Sequence, residues 1–124
     1  MTPIYKDESY QLVGAFYDVY NELGSGFLEA VYQEALSLEL ENRKIPFVQQ
    51  PKLEIYYKES RLHQHYQPDI VAYSKIIIEL KAVTTTSDVH RAQLHNYLKA
   101  TSFKLGLLVN FGDPKNLTFE RIVR

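Results

Sequence analysis

The chain has 124 residues, a formal net charge of −1 and no cysteine. A domain of this size buries roughly two thirds of the surface its unfolded chain would expose, so it needs neither a disulfide staple nor a structural zinc. The composition excludes disulfides, thiolate metal centres, iron–sulfur ligation and cysteine nucleophiles, and it supplies no overall positive field to draw the protein onto nucleic acid. The opening residues MTPIYKDESYQL carry acidic groups and no apolar block, unlike a secretory signal or a transit peptide, and a cytoplasmic address is the expectation. No stretch reaches the roughly 18 consecutive apolar residues of a membrane span. The ten tyrosines, with no tryptophan, suit half-buried positions, interfaces or base stacking.

From Tyr10 to Leu23 the residues Leu12, Val13, Phe16, Tyr17, Val19, Tyr20 and Leu23 recur at three- and four-residue spacing, which predicts an amphipathic helix broken by Gly24-Ser25-Gly26. A second helix is expected from Phe27 to Arg43, with Leu28, Val31, Tyr32, Ala35, Leu36, Leu38 and Leu40 on its apolar side, ended by Pro46. Period-two alternation from Lys52 to Tyr57 predicts a half-buried strand, Lys58 to Arg61 its turn, and Leu62 to Ala72 the returning strand. After a polar break at Tyr73-Ser74-Lys75, the β-branched run that opens Ile76–Val83 predicts a central strand covered on both faces. A loop over Thr84–Ser87, with Ser87 or Asp88 as N-cap, leads into a helix over Val89–Ala100 carrying Ala92, Leu94, Tyr97 and Leu98. Leu105–Phe111 is a further apolar strand, closed by Gly112-Asp113-Pro114, and Leu117–Val123 a short edge strand. The order α-α-β-β-β-α-β-β implies one α/β domain over residues 1–124, with a central mixed sheet flanked by helices in three layers.

Glu79-Leu80-Lys81 is the local oddity, a charged pair at the end of a strand that is otherwise dry. Residues two apart on a strand share a face, so Glu79 and Lys81 project together while Leu80 packs away from them. Burying two charges costs several kcal/mol per ion unless each is paired or bound to metal. If Tyr73-Ser74-Lys75 closes a hairpin, Asp69 lies beside Glu79. The two carboxylates and the Leu80 carbonyl then form an all-oxygen site suited to Mg²⁺ or Mn²⁺. Lys81 would orient or help deprotonate a water while the metal stabilises charge on a phosphate. The competing reading is a solvated Glu79–Lys81 bridge at a strand end.

Pro68-Asp69, nine intervening residues and Glu79-Leu80-Lys81 resemble the proline-aspartate and glutamate-x-lysine signature of the PD-(D/E)XK, or restriction-endonuclease-like, nuclease superfamily. Gly26, Glu29 and Tyr32 match the spacing for which the small prokaryotic GxxExxY proteins are named, and the chain resembles that family from about Leu12 to Val123, through IIIELKAV, AQLHNYLKAT and LGLLVNFG. The resemblance implies a restriction-endonuclease-like fold and makes Glu29 the acidic residue that the superfamily sets on a helix beside its metal. Glu29 equally suits the helix dipole in a first turn. Gly26 is expected to cap that helix and permit close backbone approach, and Tyr32 either bonds into the site or fills core.

Gln93 and Tyr97 lie four apart on one helix and share a face. Their spacing resembles the additional motif of exonuclease-type members, in which the glutamine sits near the catalytic lysine, with Tyr97 then supporting it. His90 would contact phosphate or the nucleophilic water, or stay at the surface. His63 and His65 alternate on a strand without a third ligand nearby and read as solvated residues or nucleic-acid contacts. The sequence contains no Gly-rich phosphate loop, HExxH zinc motif or Gly-x-Ser-x-Gly elbow. Two functions follow as expectations: a Mg²⁺-dependent nuclease acting on DNA, or a non-catalytic binding or assembly module of the same fold, for which a tyrosine-rich surface would suit a homodimer. RNA is the less favoured substrate, since nothing in the sequence reads a 2′-hydroxyl.

Overall fold

The protein is described here by a computed structural model over residues 3–124. Helix α1 (Lys6–Leu23) starts four residues before its apolar periodicity, because its first turn is polar and carries Asp7 and Glu8, whose charge suits a helix N-terminus. Leu12, Ala15, Phe16 and Val19 are its buried stripe. Helix α2 (Glu29–Asn42) starts two residues later than the spacing predicts, since Gly26 has a φ of 111° and Leu28 is extended. Gly26 therefore precedes the N-cap and does not occupy it. A Cβ added there would meet nothing within 4 Å, so its backbone conformation, not close approach, calls for glycine. The buried line of α2 is narrow, running through Tyr32, Leu36 and Leu40, while Leu28, Val31 and Leu38 of the expected apolar side are exposed.

Strand β1 (Phe47–Gln49) follows Pro46 and was not legible in the periodicity, being three residues long on a sheet edge. Strands β2 (Leu53–Tyr57) and β3 (Ser60–Tyr66) make a separate two-stranded ribbon. The expected single strand from Leu62 to Ala72 is in fact two elements, β3 and β4 (Ile70–Ala72). Pro68 interrupts it, since a proline has no N–H to give a ladder, and the chain passes there from the ribbon into the main sheet. Tyr73 and Ser74, both at positive φ, turn the chain into β5 (Ile76–Lys81), and β4 pairs antiparallel with β5 in the register Ala72↔Ile76.

Helix α3 (Asp88–Thr101) then crosses over to β6 (Leu105–Asn110), which lies parallel to β5, and β7 (Thr118–Val123) closes the far edge. The five-stranded sheet thus runs β1-β4-β5-β6-β7 and is mixed. Alternation along the strands sends Ile76, Ile78, Leu80, Leu105, Leu107 and Val109 to a core under α1 and α2. Val71, Ile77 and Leu108 go to the opposite face, under Leu94 and Leu98 of α3 and Tyr66 of the ribbon.

Candidate functional site

The β4–β5 hairpin register continues past its last ladder pair, so that Asp69 stands across from Glu79 on the face that α3 covers. Each carboxylate latches the other strand. The Asp69 N–H donates to Glu79 Oε1 at 2.8 Å, and the Leu80 N–H donates to Asp69 Oδ2 at 2.8 Å. In an antiparallel pair the N–H and C=O of one residue point to the same neighbour, so the Leu80 carbonyl lies on the Asp69 side of β5. Three oxygen-bearing groups thus share one strand end.

Burial pushes the Glu79 carboxyl up to about 7, and the nearby Asp69 charge adds to the rise, while the Asp69 N–H and Lys81 oppose it. Burial likewise raises Asp69; the Leu80 N–H opposes that rise, and Glu29 adds to it. Two half-buried acids side by side, both raised by burial and one further raised by the other's charge, form a locus for a cation. The donor set is all oxygen, which fits a hard divalent ion. Among the described residues no third His, Cys, Asp or Glu closes on the pair to complete a protein-only cage. Mg²⁺ commonly takes one or two carboxylates and keeps its remaining positions for water and phosphate, so an open site fits it.

Lys81 is half-buried on the face of Glu79, and its charge favours ionisation of both carboxylates. It forms no ion pair among the described residues, so the solvated Glu79–Lys81 bridge is not what the strand end builds. The backbone beyond Lys81 is pinned by a residue that sequence reasoning passed over. Asn110, 1% exposed, accepts from the N–H groups of Val83 and Gly112 through Oδ1 and donates to the Val83 carbonyl through Nδ2. Gly112 lies so close to Ala82 and Val83 that a Cβ would fall 2.3 Å from the Val83 nitrogen. An asparagine at the end of an apolar strand and a glycine just past it were the available signal, inside the segment LGLLVNFG.

Glu29 is exposed in the first turn of α2 and near enough to Asp69 to raise its carboxyl. One turn on, Gln33 Nε2 donates to the Asp69 carbonyl at 3.0 Å, which ties α2 to the site and was also missed. Tyr32 turns into the core: its ring stacks on Phe111 at 4.7 Å, and its hydroxyl donates to the Gly24 carbonyl and accepts from the Phe27 N–H. Gly26 lies within the loop that this hydroxyl braces. Gln93 is exposed on α3 and lines a shallow depression with Val89, Ala92, Asn96 and Tyr97. Tyr97 stacks on Tyr66 at 3.9 Å, with the Tyr66 hydroxyl buried close to Glu79. His90 serves the helix: its Nδ1 accepts from the Ser87 N–H at 3.3 Å, and its own N–H donates to Ser87 Oγ, a capping box. His63 and His65 are exposed on β3, where His65 stands across from Glu54 of β2.

The sequence profile of the PD-(D/E)XK nuclease superfamily matches residues 6–122, and the chain belongs to that superfamily. The crystal structure of SSO0001 is similar in fold, with a TM-score of 0.59 at 20% identity over 77% of this chain and 49% of that one. The chain therefore spans about half the length of that protein. No curated protein matches the sequence. The mixed five-stranded sheet with its three flanking helices is a restriction-endonuclease-like fold, as Pro68, Asp69, Glu79 and Lys81 led one to expect. No helix among the described residues is long and apolar enough to cross a membrane.

Proposed function

We propose, with membership of the PD-(D/E)XK superfamily as the premise, that this chain is a Mg²⁺- or Mn²⁺-dependent nuclease that hydrolyses phosphodiester bonds in DNA. The observation that supports it most is the pairing of Asp69 with Glu79 across β4 and β5, with Lys81 on the same face and free of any ion pair among the described residues. Asp69, Glu79 and the Leu80 carbonyl would hold the cation, with Glu29 as an outer acid that completes the charge. The cation, when bound, supplies Lewis-acid stabilisation of the phosphate charge that develops during hydrolysis. Lys81 orients the attacking water by donating to it and offsets negative charge at the phosphate, and Gln93, from the α3 side, steadies Lys81 or that water. Gly26, Glu29 and Tyr32 support a position within the GxxExxY group. A cytoplasmic address is part of this proposal, and a sequence without cysteine suits that compartment.

The second reading, a non-catalytic module of the same fold, is favoured by one electrostatic observation. The fourteen Lys and Arg are outweighed by fifteen Asp and Glu, and Arg43, Arg61, Lys75 and Arg91 are paired with carboxylates, so the domain as a whole has no net positive field to hold a phosphate backbone. Cleavage of single- and double-stranded DNA, with Mg²⁺ or Mn²⁺ and with chelator, separates the two. Lys81→Ala is expected to lower the metal-dependent rate by roughly 10²–10⁴-fold while the circular dichroism spectrum is kept. Undiminished cutting by Lys81→Ala would remove the lysine from the chemistry. Metal-induced stabilisation of a wild type that cuts neither substrate would favour the module.

A further inference from the structure

Tyr66 ends β3 three residues before Asp69 and is 5% exposed. Its hydroxyl is wholly buried and completes a hydrogen bond with no group among the described residues. Buried hydroxyls are almost always satisfied, and an unsatisfied one in a native fold calls for a reason. The chain leads from Tyr66 through Pro68 into Asp69, which stands across from Glu79, so the hydroxyl is buried beside the acid pair, whose charges act on it. The ring is held in that direction by a nearly parallel stack on Tyr97 of α3, with centroids 3.9 Å apart and planes 4° apart. Glu79 has one oxygen, Oε1, engaged by the Asp69 N–H. Its second oxygen is the acceptor that the Tyr66 hydroxyl lacks.

We infer that Tyr66 is a positioning residue: its hydroxyl, aimed by the Tyr97 stack, donates to Glu79 and fixes that carboxylate in the attitude that holds a hard divalent cation. The inference rests on the reading of Asp69 and Glu79 as cation ligands. A tyrosine hydroxyl carries one donated bond, and a bond to a carboxylate is shorter and stronger than one to a neutral group, so it limits the attitudes that carboxylate can take. Groups that orient a metal-binding carboxylate from behind commonly govern the affinity of the site. Neither the aspartate nor the glutamate-x-lysine motif includes this residue, and its position is set by the ribbon.

The test is calorimetric titration of chelator-treated protein with MnCl₂ and no nucleic acid, comparing wild type with Tyr66→Phe, which keeps the ring and the stack. The variant is expected to bind Mn²⁺ about 10-fold more weakly or worse, with a metal-free melting temperature equal to or above wild type, because only an unpartnered hydroxyl has been removed. Equal Mn²⁺ constants would overturn the assignment and leave the cation reading of Asp69 and Glu79 in place. A wild type that binds no Mn²⁺ would overturn both. Should Tyr66→Phe fail to fold, wild-type absorbance decides: Mg²⁺ is expected to perturb the tyrosine band as the hydroxyl gains its acceptor, and Mg²⁺ binding without that perturbation would sink the proposal.

Discussion

On one face of the sheet, α1 and α2 cover a broad core of Leu12, Phe16, Leu36, Leu40 and the alternate residues of β5 and β6. On the other, α3 and the β2–β3 ribbon cover a smaller cluster that includes Tyr66, with Tyr97 packed on it, and passes directly into Asp69, Glu79 and Lys81. A single strand feeds both: Ile76, Ile78 and Leu80 point into the broad core, whereas Ile77, Glu79 and Lys81 point the other way. The difference shows how a small domain tolerates half-buried acids that oppose folding. Stabilisation is concentrated on the face away from the chemistry, and the site face is held by backbone latches, by Asn110 and by aromatic stacking.

If the faces are separate in this sense, the largest loss of stability should come from the broad core and leave the site untouched. Phe16→Ala, at a fully buried position, is expected to cost about 3–5 kcal/mol, or roughly 10–20 °C in melting temperature, measured by urea and thermal unfolding. The Mn²⁺ affinity of the folded fraction should stay at the wild-type value. A parallel fall in affinity would mean that the two faces are mechanically coupled through β5.

The same contrast separates what could be read in the sequence from what could not. The broad core was legible because Leu12, Phe16 and Val19 keep helical spacing and Ile76 to Ile78 are β-branched, local patterns that burial enforces. Glu79 and Lys81 were legible because charge at the end of a dry strand has a visible cost, and Pro68-Asp69 because its spacing from them resembles the superfamily signature. What supports that motif was hidden, because it depends on contacts between distant segments: Gln33 reaching the Asp69 carbonyl, Asn110 pinning Val83, and Tyr66 brought to Glu79. Strand β2 was legible from its alternation, whereas the three-residue β1 buries too little for a period to show, and Pro68, read as part of a motif, was also the break between two sheets. His90 offered a chemical identity in the sequence and a capping one in the fold.

A smaller effect, confined to the site face, is a pH dependence. Glu79 rises from an ordinary 4.5 to about 7 in the folded protein, so the folded chain keeps a proton that the unfolded chain has released. Its contribution is fully present below about pH 4.5 and is lost as the pH climbs through 7, on the order of 3 kcal/mol, with Asp69 shifted in the same direction. Chelator-treated protein should therefore lose stability to urea between these limits, and Glu79→Gln should flatten the slope while abolishing Mn²⁺ binding. A slope unchanged in Glu79→Gln would assign the pH dependence to other groups and weaken the picture of a repulsive acid pair.

The smallest effect tests whether α3, the helix of the site face, is held independently of α1. Ser87 caps α3, its hydroxyl accepting from the His90 N–H at 3.4 Å, and Ser87→Ala should cost about 1 kcal/mol. Because α3 rests on the smaller cluster, that loss should appear first as faster amide exchange in the opening turns of α3, from Asp88 to Gln93, with α1 amides still exchanging at the wild-type rate. Equal acceleration in both helices would show that the cap is felt only through global unfolding. The α3 face would then belong to the same cooperative unit as the broad core, and adjustments of Tyr97 against Tyr66 could not occur without disturbing the whole sheet.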